Sequence, residues 1–273
     1  MAHSLCLIGG GNMARSLIGG LIARGTDAAR ISVADPIAAQ LDSLQKQFGV
    51  RVSTNNADAA RGADVIVLAV KPQDMRSVTA GLAPALASRR PLIISIAAGI
   101  RTSDLRRWCG GIPVVRCMPN RPALQGCGMT ALFGSSDVSA AGRALAEDIL
   151  SAVGATLWLD QEDQLDAVTA LSGTGPAYFF LLIEMLEETG IALGLSTEVS
   201  RKLAIETAYG SGCMAREAAE PAATLRRQVT SKGGTTEAAL KVLEGQNVRA
   251  IFAAAITAAA NRSTQLADEF GAD

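Results

Sequence analysis

From its N-terminus the chain alternates short apolar runs with stretches whose apolar positions recur every three or four residues. The first run, Leu5-Cys6-Leu7-Ile8, reads as a parallel strand buried on both faces. After it Leu17, Ile18, Leu21 and Ile22 recur at helical spacing, and Gly25 closes that helix. Further strands are predicted at Ile31–Ala34, Val65–Val70, Leu92–Ala97, Pro113–Cys117, Met129–Phe133 and Thr156–Leu159. Helices are predicted between them over Ile37–Phe48, Asn56–Arg61, Met75–Ala87, Thr102–Trp108 and Ser139–Val153. This alternation predicts an α/β fold: a doubly wound, mostly parallel sheet whose strand ends, and any ligand, gather at one edge.

After Asp160 the strand signals stop. Helices are predicted at Glu162–Leu171, Pro176–Leu193, Thr197–Ala218, Thr235–Leu243 and Val248–Glu269. The pattern divides the chain into a sheet domain over residues 1–161 and a helical domain over residues 162–273. The helix from Pro176 carries Phe179, Phe180, Leu181, Leu182, Ile183, Met185 and Leu186, and is apolar on nearly every side. Such a helix must be covered all round. A helical half this small can scarcely do that alone, so a subunit interface is expected.

The first strand-to-helix turn carries chemistry. Gly9-Gly10-Gly11-Asn12-Met13-Ala14 is a G-x-G-x-x-A turn, with a strand before it and a helix after it. Gly9 permits the tight turn, Gly11 lets a pyrophosphate approach the backbone, and Ala14 lets helix and strand pack closely. The helix N-terminus offers free N–H groups to phosphate. A second strand ending in Asp35 completes the pattern of a Rossmann-type dinucleotide site. Three later strand ends face the same edge. Pro72 fixes an extended exit for Lys71, where a phosphate contact and plain solvation are equally expected. Ala97-Ala98-Gly99 would let a flat ring pass close to backbone, and Asn120 either caps a turn or touches ligand.

Composition narrows the chemistry. The 273 residues carry a formal charge of −1, which leaves no basic footprint for nucleic acid. No apolar run approaches the roughly 20 residues of a membrane span, and the early first strand leaves no room for a signal peptide. Cys6, Cys109, Cys117, Cys127 and Cys213 form no C-x-x-C pair and read as reduced, mostly buried thiols of a cytoplasmic protein. His3 is the only histidine, which removes Ser-His-Asp triads, histidine hydride-transfer dyads and nearly every zinc site, so no metal is expected. Neither Tyr178 nor Tyr209 has a lysine four residues on. The chemistry must proceed with little acid–base help.

A second glycine turn, Val229-Thr230-Ser231-Lys232-Gly233-Gly234-Thr235-Thr236, precedes the resumed helical period at Glu237. It places several hydroxyls and free N–H groups at a helix start, a receptor for a small carboxylate. Capping alone accounts for one threonine, not for this run.

With these motifs in hand, the chain resembles the pyrroline-5-carboxylate reductases. The likeness runs through I-G-G-G-N-M-A at Ile8–Ala14, A-V-K-P at Ala69–Pro72, A-A-G at Ala97–Gly99 and R-C-M-P-N at Arg116–Asn120. It continues in L-S-G-T-G-P-A-Y at Leu171–Tyr178 and S-K-G-G-T-T at Ser231–Thr236. The first motif is common among dinucleotide-binding domains; the last two, in this order and spacing, are specific. The resemblance implies hydride transfer from NADPH or NADH to the C=N carbon of 1-pyrroline-5-carboxylate, giving L-proline. It implies coenzyme contacts by Ile8, Gly9, Gly10, Gly11, Asn12, Met13, Asp35, Asn56, Ala69, Val70, Lys71, Pro72, Ala97 and Ala98. It implies a substrate site of Val229, Ser231, Gly233, Gly234, Thr235 and Thr236, with the carboxylate on Ser231 and the Gly234 and Thr235 amides. Thr236 would act as the catalytic partner of the ring nitrogen. It also implies a homodimer with interleaved helical domains, and in many members a pentamer of such dimers.

Two departures stand out. Lys232 replaces the family's usual proline, predicting a more mobile loop with an added cation. Asp35 stands where relatives preferring NADPH more often carry Ser or Asn, and a carboxylate there favours the 2′-OH of NADH. The family expectation is NADP(H), and Asp35 makes NAD(H) a second expected coenzyme. Two alternatives stay open at this level: a reductase of another small cyclic imine, and a dinucleotide-binding sensor without turnover. A 3-hydroxyacid-type dehydrogenase fits less well, because the helix beginning Pro176-Ala177-Tyr178 holds no lysine before Lys202.

Overall fold

The computed structural model describes residues 3–86 and 89–271, apart from the side chains of residues 84 and 85. It divides into two compact units, residues 1–173 with 259–273, and residues 174–258.

The first unit is built on an eight-stranded sheet. Its strands are β1 (Leu5–Ile8), β2 (Ile31–Ala34), β3 (Arg51–Ser53), β4 (Val65–Leu68), β5 (Leu92–Ser95), β6 (Val114–Met118), β7 (Gly128–Gly134) and β8 (Gly154–Trp158). Their order is β3-β2-β1-β4-β5-β6-β7-β8. All neighbours are parallel except β6 and β7. Around it lie α1 (Asn12–Ala23), α2 (Ala38–Phe48), α3 (Asn56–Ala60), α4 (Met75–Leu86), α5 (Thr102–Trp108) and α6 (Ala140–Ser151). Side-chain alternation explains the two-sided burial: Leu5 and Leu7 join the core on one face, Cys6 and Ile8 the core on the other.

The expected alternation of strands and helices is therefore present, with two differences. The strand β3 was not legible, because three residues at a sheet edge need no apolar run. Strands β4 and β5 end two residues earlier than predicted, where the chain turns at the carboxyl edge of the parallel strands. The predicted end of α4 at Ala87 lies outside the described residues.

After β8 come α7 (Gln164–Val168) and a π-helical turn, Thr169–Gly173. The second unit then holds α8 (Gly175–Ala192), α9 (Thr197–Glu217), α10 (Ala222–Gln228), α11 (Thr235–Gly245) and the start of α12 (Val248–Gly271). The short α10 is not among the predicted helices, since its sequence holds a single large apolar residue, Leu225, and shows no helical period. Helices α8 and α9 pack so closely that a Cβ on Gly190 would come within 2.8 Å of Ser200 Oγ.

The second unit buries little of its apolar surface: Phe179 is 66% and Phe180 61% exposed, and the α10 and α11 helices have no buried residue. Apolar exposure of this extent marks an interaction surface. Among the described residues, Gln164–Ala192, which contains an 18-residue window of mean hydropathy 1.2, is by length and composition alone long and apolar enough to cross a membrane.

Candidate active site

The registers align the carboxyl ends of the parallel strands in one row. Ile8 stands opposite Ala34 and Leu68, Ala34 opposite Ser53, and Leu68 opposite Ser95. The ladder continues past the strands through Gly9 N–H to Ala34 O at 2.7 Å and Ala69 N–H to Ile8 O at 2.8 Å. Gly9, Asp35, Ala69 and Ala97 thus follow neighbouring strand ends on a single edge. The order reverses between β1 and β4, which makes a crevice there the expected seat of a dinucleotide.

The glycine turn is shaped for close approach. Gly9 has φ +103°, and a Cβ there would lie 2.5 Å from Ala69 O. Gly11 caps α1 in extended conformation without a capping side chain, and a Cβ on it would meet nothing within 4 Å. The first intrahelical bond runs from Arg15 N to Gly11 O at 3.0 Å. The amides of Asn12, Met13 and Ala14 therefore have no acceptor in the helix. Open amides at the positive end of a helix are suited to a phosphate group.

Asp35 is 7% exposed, and both carboxylate oxygens are engaged with backbone. Oδ2 accepts the Gly10 N–H at 2.7 Å and Oδ1 the Ile37 N–H at 2.8 Å. Sequence reasoning expected only a ribose contact; Asp35 also ties the glycine turn to the end of β2. Asn56 opens α3, whose cap is the neighbouring Asn55, accepting the Ala57 and Asp58 amides. Ala69 and Val70 are half-buried at the rim, and Lys71 is exposed before the short turn at Pro72–Asp74. Ala98 is half-buried between Ala97 and Gly99, which has φ +74°.

Asn120, left open between two roles by the sequence, acts as a strut. Its Nδ2 donates to Ser172 O and Oγ at 3.3 and 3.2 Å, and its Oδ1 accepts the Met129 N–H at 2.9 Å. Nearby, Arg116 is buried and pairs with Glu162 at 3.0 Å. Glu162 also accepts from the Thr102 amide and hydroxyl at 2.7 and 2.6 Å. Burial pushes the Cys6 and Cys109 thiols up to about 11, and raises Cys117 as well. These three are packing residues held as thiols. Cys127, just before β7, is exposed, the exception among thiols expected to be mostly buried.

In the second unit, Val229 ends α10 and Ser231–Gly234 leads into α11. Gly234 caps α11 without a side-chain bond, and a Cβ on it would lie 2.5 Å from Ser231 Oγ. The Ser231 hydroxyl thus lies over the helix mouth. Gly233, at φ +73°, donates its N–H to Glu237 Oε2 at 2.6 Å, and Gly234 donates to Ser231 O at 3.1 Å. The amides left open for an anion begin at Thr235. Among the described residues the hydroxyls of Ser231, Thr235 and Thr236 have no hydrogen-bond partner. Beside the loop lies a cleft of about 680 Å³, lined by Arg226, Thr230, Gly233, Gly234, Glu237 and Lys241. Sequence reasoning missed Glu237. The signal is a cap followed three residues later by glutamate, hidden because the cap is glycine rather than serine or threonine.

Residues 162–266 match the family model described as pyrroline-5-carboxylate reductase dimerisation, and residues 4–99 that of NADP oxidoreductase, coenzyme F420-dependent. A pyrroline-5-carboxylate reductase from Pseudomonas aeruginosa is 49% identical over 268 residues, covering 98% of each chain. The chain belongs to the pyrroline-5-carboxylate reductase family. A solved pyrroline-5-carboxylate reductase from Coxiella burnetii is 42% identical, with a TM-score of 0.94 over 97% of this chain and 99% of that one. The Plasmodium falciparum pyrroline carboxylate reductase, solved with NADP bound, is 29% identical with a TM-score of 0.85, covering 97% and 98%. This family member therefore carries a Rossmann-type domain for a nicotinamide coenzyme and a dimerisation domain for self-association. The exposed apolar face of α8 falls within the dimerisation match.

Proposed function

We propose that the chain reduces 1-pyrroline-5-carboxylate to L-proline, residues 1–161 serving the coenzyme and residues 162–273 the substrate and the dimer. Bound NAD(P)H supplies the hydride that the imine carbon accepts. The α1 mouth, with Ile8 to Met13, holds the pyrophosphate. Asp35, Asn56, Ala69 to Pro72, Ala97 and Ala98 line the rest of the coenzyme's path. The substrate carboxylate rests on Ser231 and the first open amides of α11, which fixes the ring face presented to the nicotinamide. Thr236 Oγ holds the N–H of the protonated imine. A cyclic imine is basic enough to be partly protonated near neutral pH, so a chain with one histidine lacks nothing the reaction needs.

What supports this reading most is the α11 mouth, where three hydroxyls without partners among the described residues surround a helix start that no side chain caps. The deciding experiment is coenzyme oxidation on adding pyrroline-5-carboxylate. Oxidation that depends on that compound is expected; none would leave the sensor reading. Faster turnover of a six-membered cyclic imine would favour the broader imine-reductase reading. The minimal unit is a dimer, and a pentamer of dimers is the assembly to seek by sedimentation.

For coenzyme choice, Asp35→Asn is expected to shift the NADPH-to-NADH ratio of kcat/KM toward NADPH by about tenfold, about 1.4 kcal/mol. Both absolute values should fall, because an amide donor would replace one of the two acceptors that brace Gly10 and Ile37. Steady-state kinetics with both coenzymes measures this. An unchanged ratio would leave Asp35 as a brace alone.

A further inference from the structure

The loop Ala97-Ala98-Gly99 brings no side chain longer than a methyl group, so its position depends on what packs beneath it. Beneath it lie the last turns of α12. A Cβ on Gly99 would come within 3.2 Å of Phe270 Cδ2, 3.4 Å of the Leu266 carbonyl carbon and 3.5 Å of Ala267 N. Helix backbone and an aromatic ring thus press directly on the loop. Ser263 and Ala267 are buried, and Phe270 packs against the core that contains Ala97 and Ile100. Polar contacts hold the helix end in place. Arg101 Nη2 meets Asp268 Oδ1 at 2.5 Å, and Asp166 accepts from Ser263 Oγ and Thr264 Oγ1 at 2.7 and 2.9 Å. The far end of the same loop is fixed at Thr102 by Glu162.

We propose that the C-terminal turns of α12, through Phe270 and Asp268, are positioning elements of the coenzyme site. They set the height of the Ala97–Gly99 backbone against which the nicotinamide lies. The inference rests on the reading that Ala97 and Ala98 touch the coenzyme. Neither Phe270 nor Asp268 touches the reacting atoms; each acts through the loop. Without the ring, the space under Gly99 opens and the loop sinks or wanders, so the site binds coenzyme less well while the carboxylate loop of α11 is unaffected.

The test is fluorescence titration of NADPH, with steady-state kinetics in pyrroline-5-carboxylate, on the full-length enzyme. Phe270→Ala should raise the NADPH Kd about tenfold with the KM for pyrroline-5-carboxylate unchanged, and Phe270→Leu should restore most of the loss. Asp268→Asn, at an exposed position that tolerates change, should raise Kd about threefold and decides alone if Phe270→Ala does not fold. Ala98→Leu probes the underlying reading: a side chain in the coenzyme's path should weaken NADPH strongly. If Ala98→Leu binds like wild type, the loop does not meet the coenzyme and the proposal falls with that reading. If Ala98→Leu weakens binding while Phe270→Ala and Asp268→Asn bind normally, the positioning role alone is overturned. A parallel rise in the KM for pyrroline-5-carboxylate would mark general damage and overturn it too.

Discussion

Replacing Gly9 by alanine is expected to abolish coenzyme binding and to lower unfolding free energy by about 3 kcal/mol. The methyl would stand 2.5 Å from Ala69 O and 2.8 Å from its carbon, both backbone atoms that cannot swing aside. The residue would also be held at φ +103°, which an L side chain rarely adopts. Relief requires β1 and β4 to part beyond Ile8, at the cost of the bond from Ala69 N–H to Ile8 O. Gly11→Ala should behave in the opposite way. Its backbone is ordinary and nothing lies near the added methyl, so stability should hold while the coenzyme is lost. Urea melts and NADPH titration of both variants separate turn formation from phosphate approach. Wild-type binding by Gly11→Ala would show that no phosphate lies there.

Thr236→Ala is expected to lower kcat ten- to a hundredfold, roughly 1.4 to 2.7 kcal/mol, with coenzyme affinity little changed. Thr236 is the second residue of α11, half-buried, and its hydroxyl has no partner among the described residues. Alanine is the better helix former, so the helix should not suffer. The whole loss would then belong to the lost contact with the ring nitrogen. Thr236→Ser should retain most activity. Single-turnover rates with saturating coenzyme provide the measurement, and an undiminished rate for the alanine variant would remove Thr236 from the chemistry.

How much of this was legible in the sequence depended on how strongly each feature marks itself locally. The G-x-G-x-x-A turn was readable because a buried strand, three glycines and a helical period are all contiguous, and the registers then align the other strand ends. Asp35 was readable as a position but not as a brace: its bonds to Gly10 and Ile37 depend on a turn whose shape no spacing reveals. The joint formed by Asn120 with Ser172 and Met129 joins residues far apart in the chain, so it was visible only as a choice of roles. Helix α5 was read residue for residue because a threonine and a tryptophan bound its period. Helix α10 was missed because its sequence holds one large apolar residue, Leu225, and so shows no period, and Glu237 because glycine hid its capping partner. The last turns of α12 read only as more helix. Their burial beneath Gly99 is a long-range fact that periodicity does not carry.

That return of the chain has a consequence for how the molecule is made. Its sheet is synthesised first, yet the residues that seat under Gly99 follow only after the whole helical insertion has been made. The earliest domain therefore cannot finish folding until α12 has emerged, and must wait with one flank open while the helical insertion is produced. A nick within the last turns of α12 would accordingly be felt in the sheet made long before them.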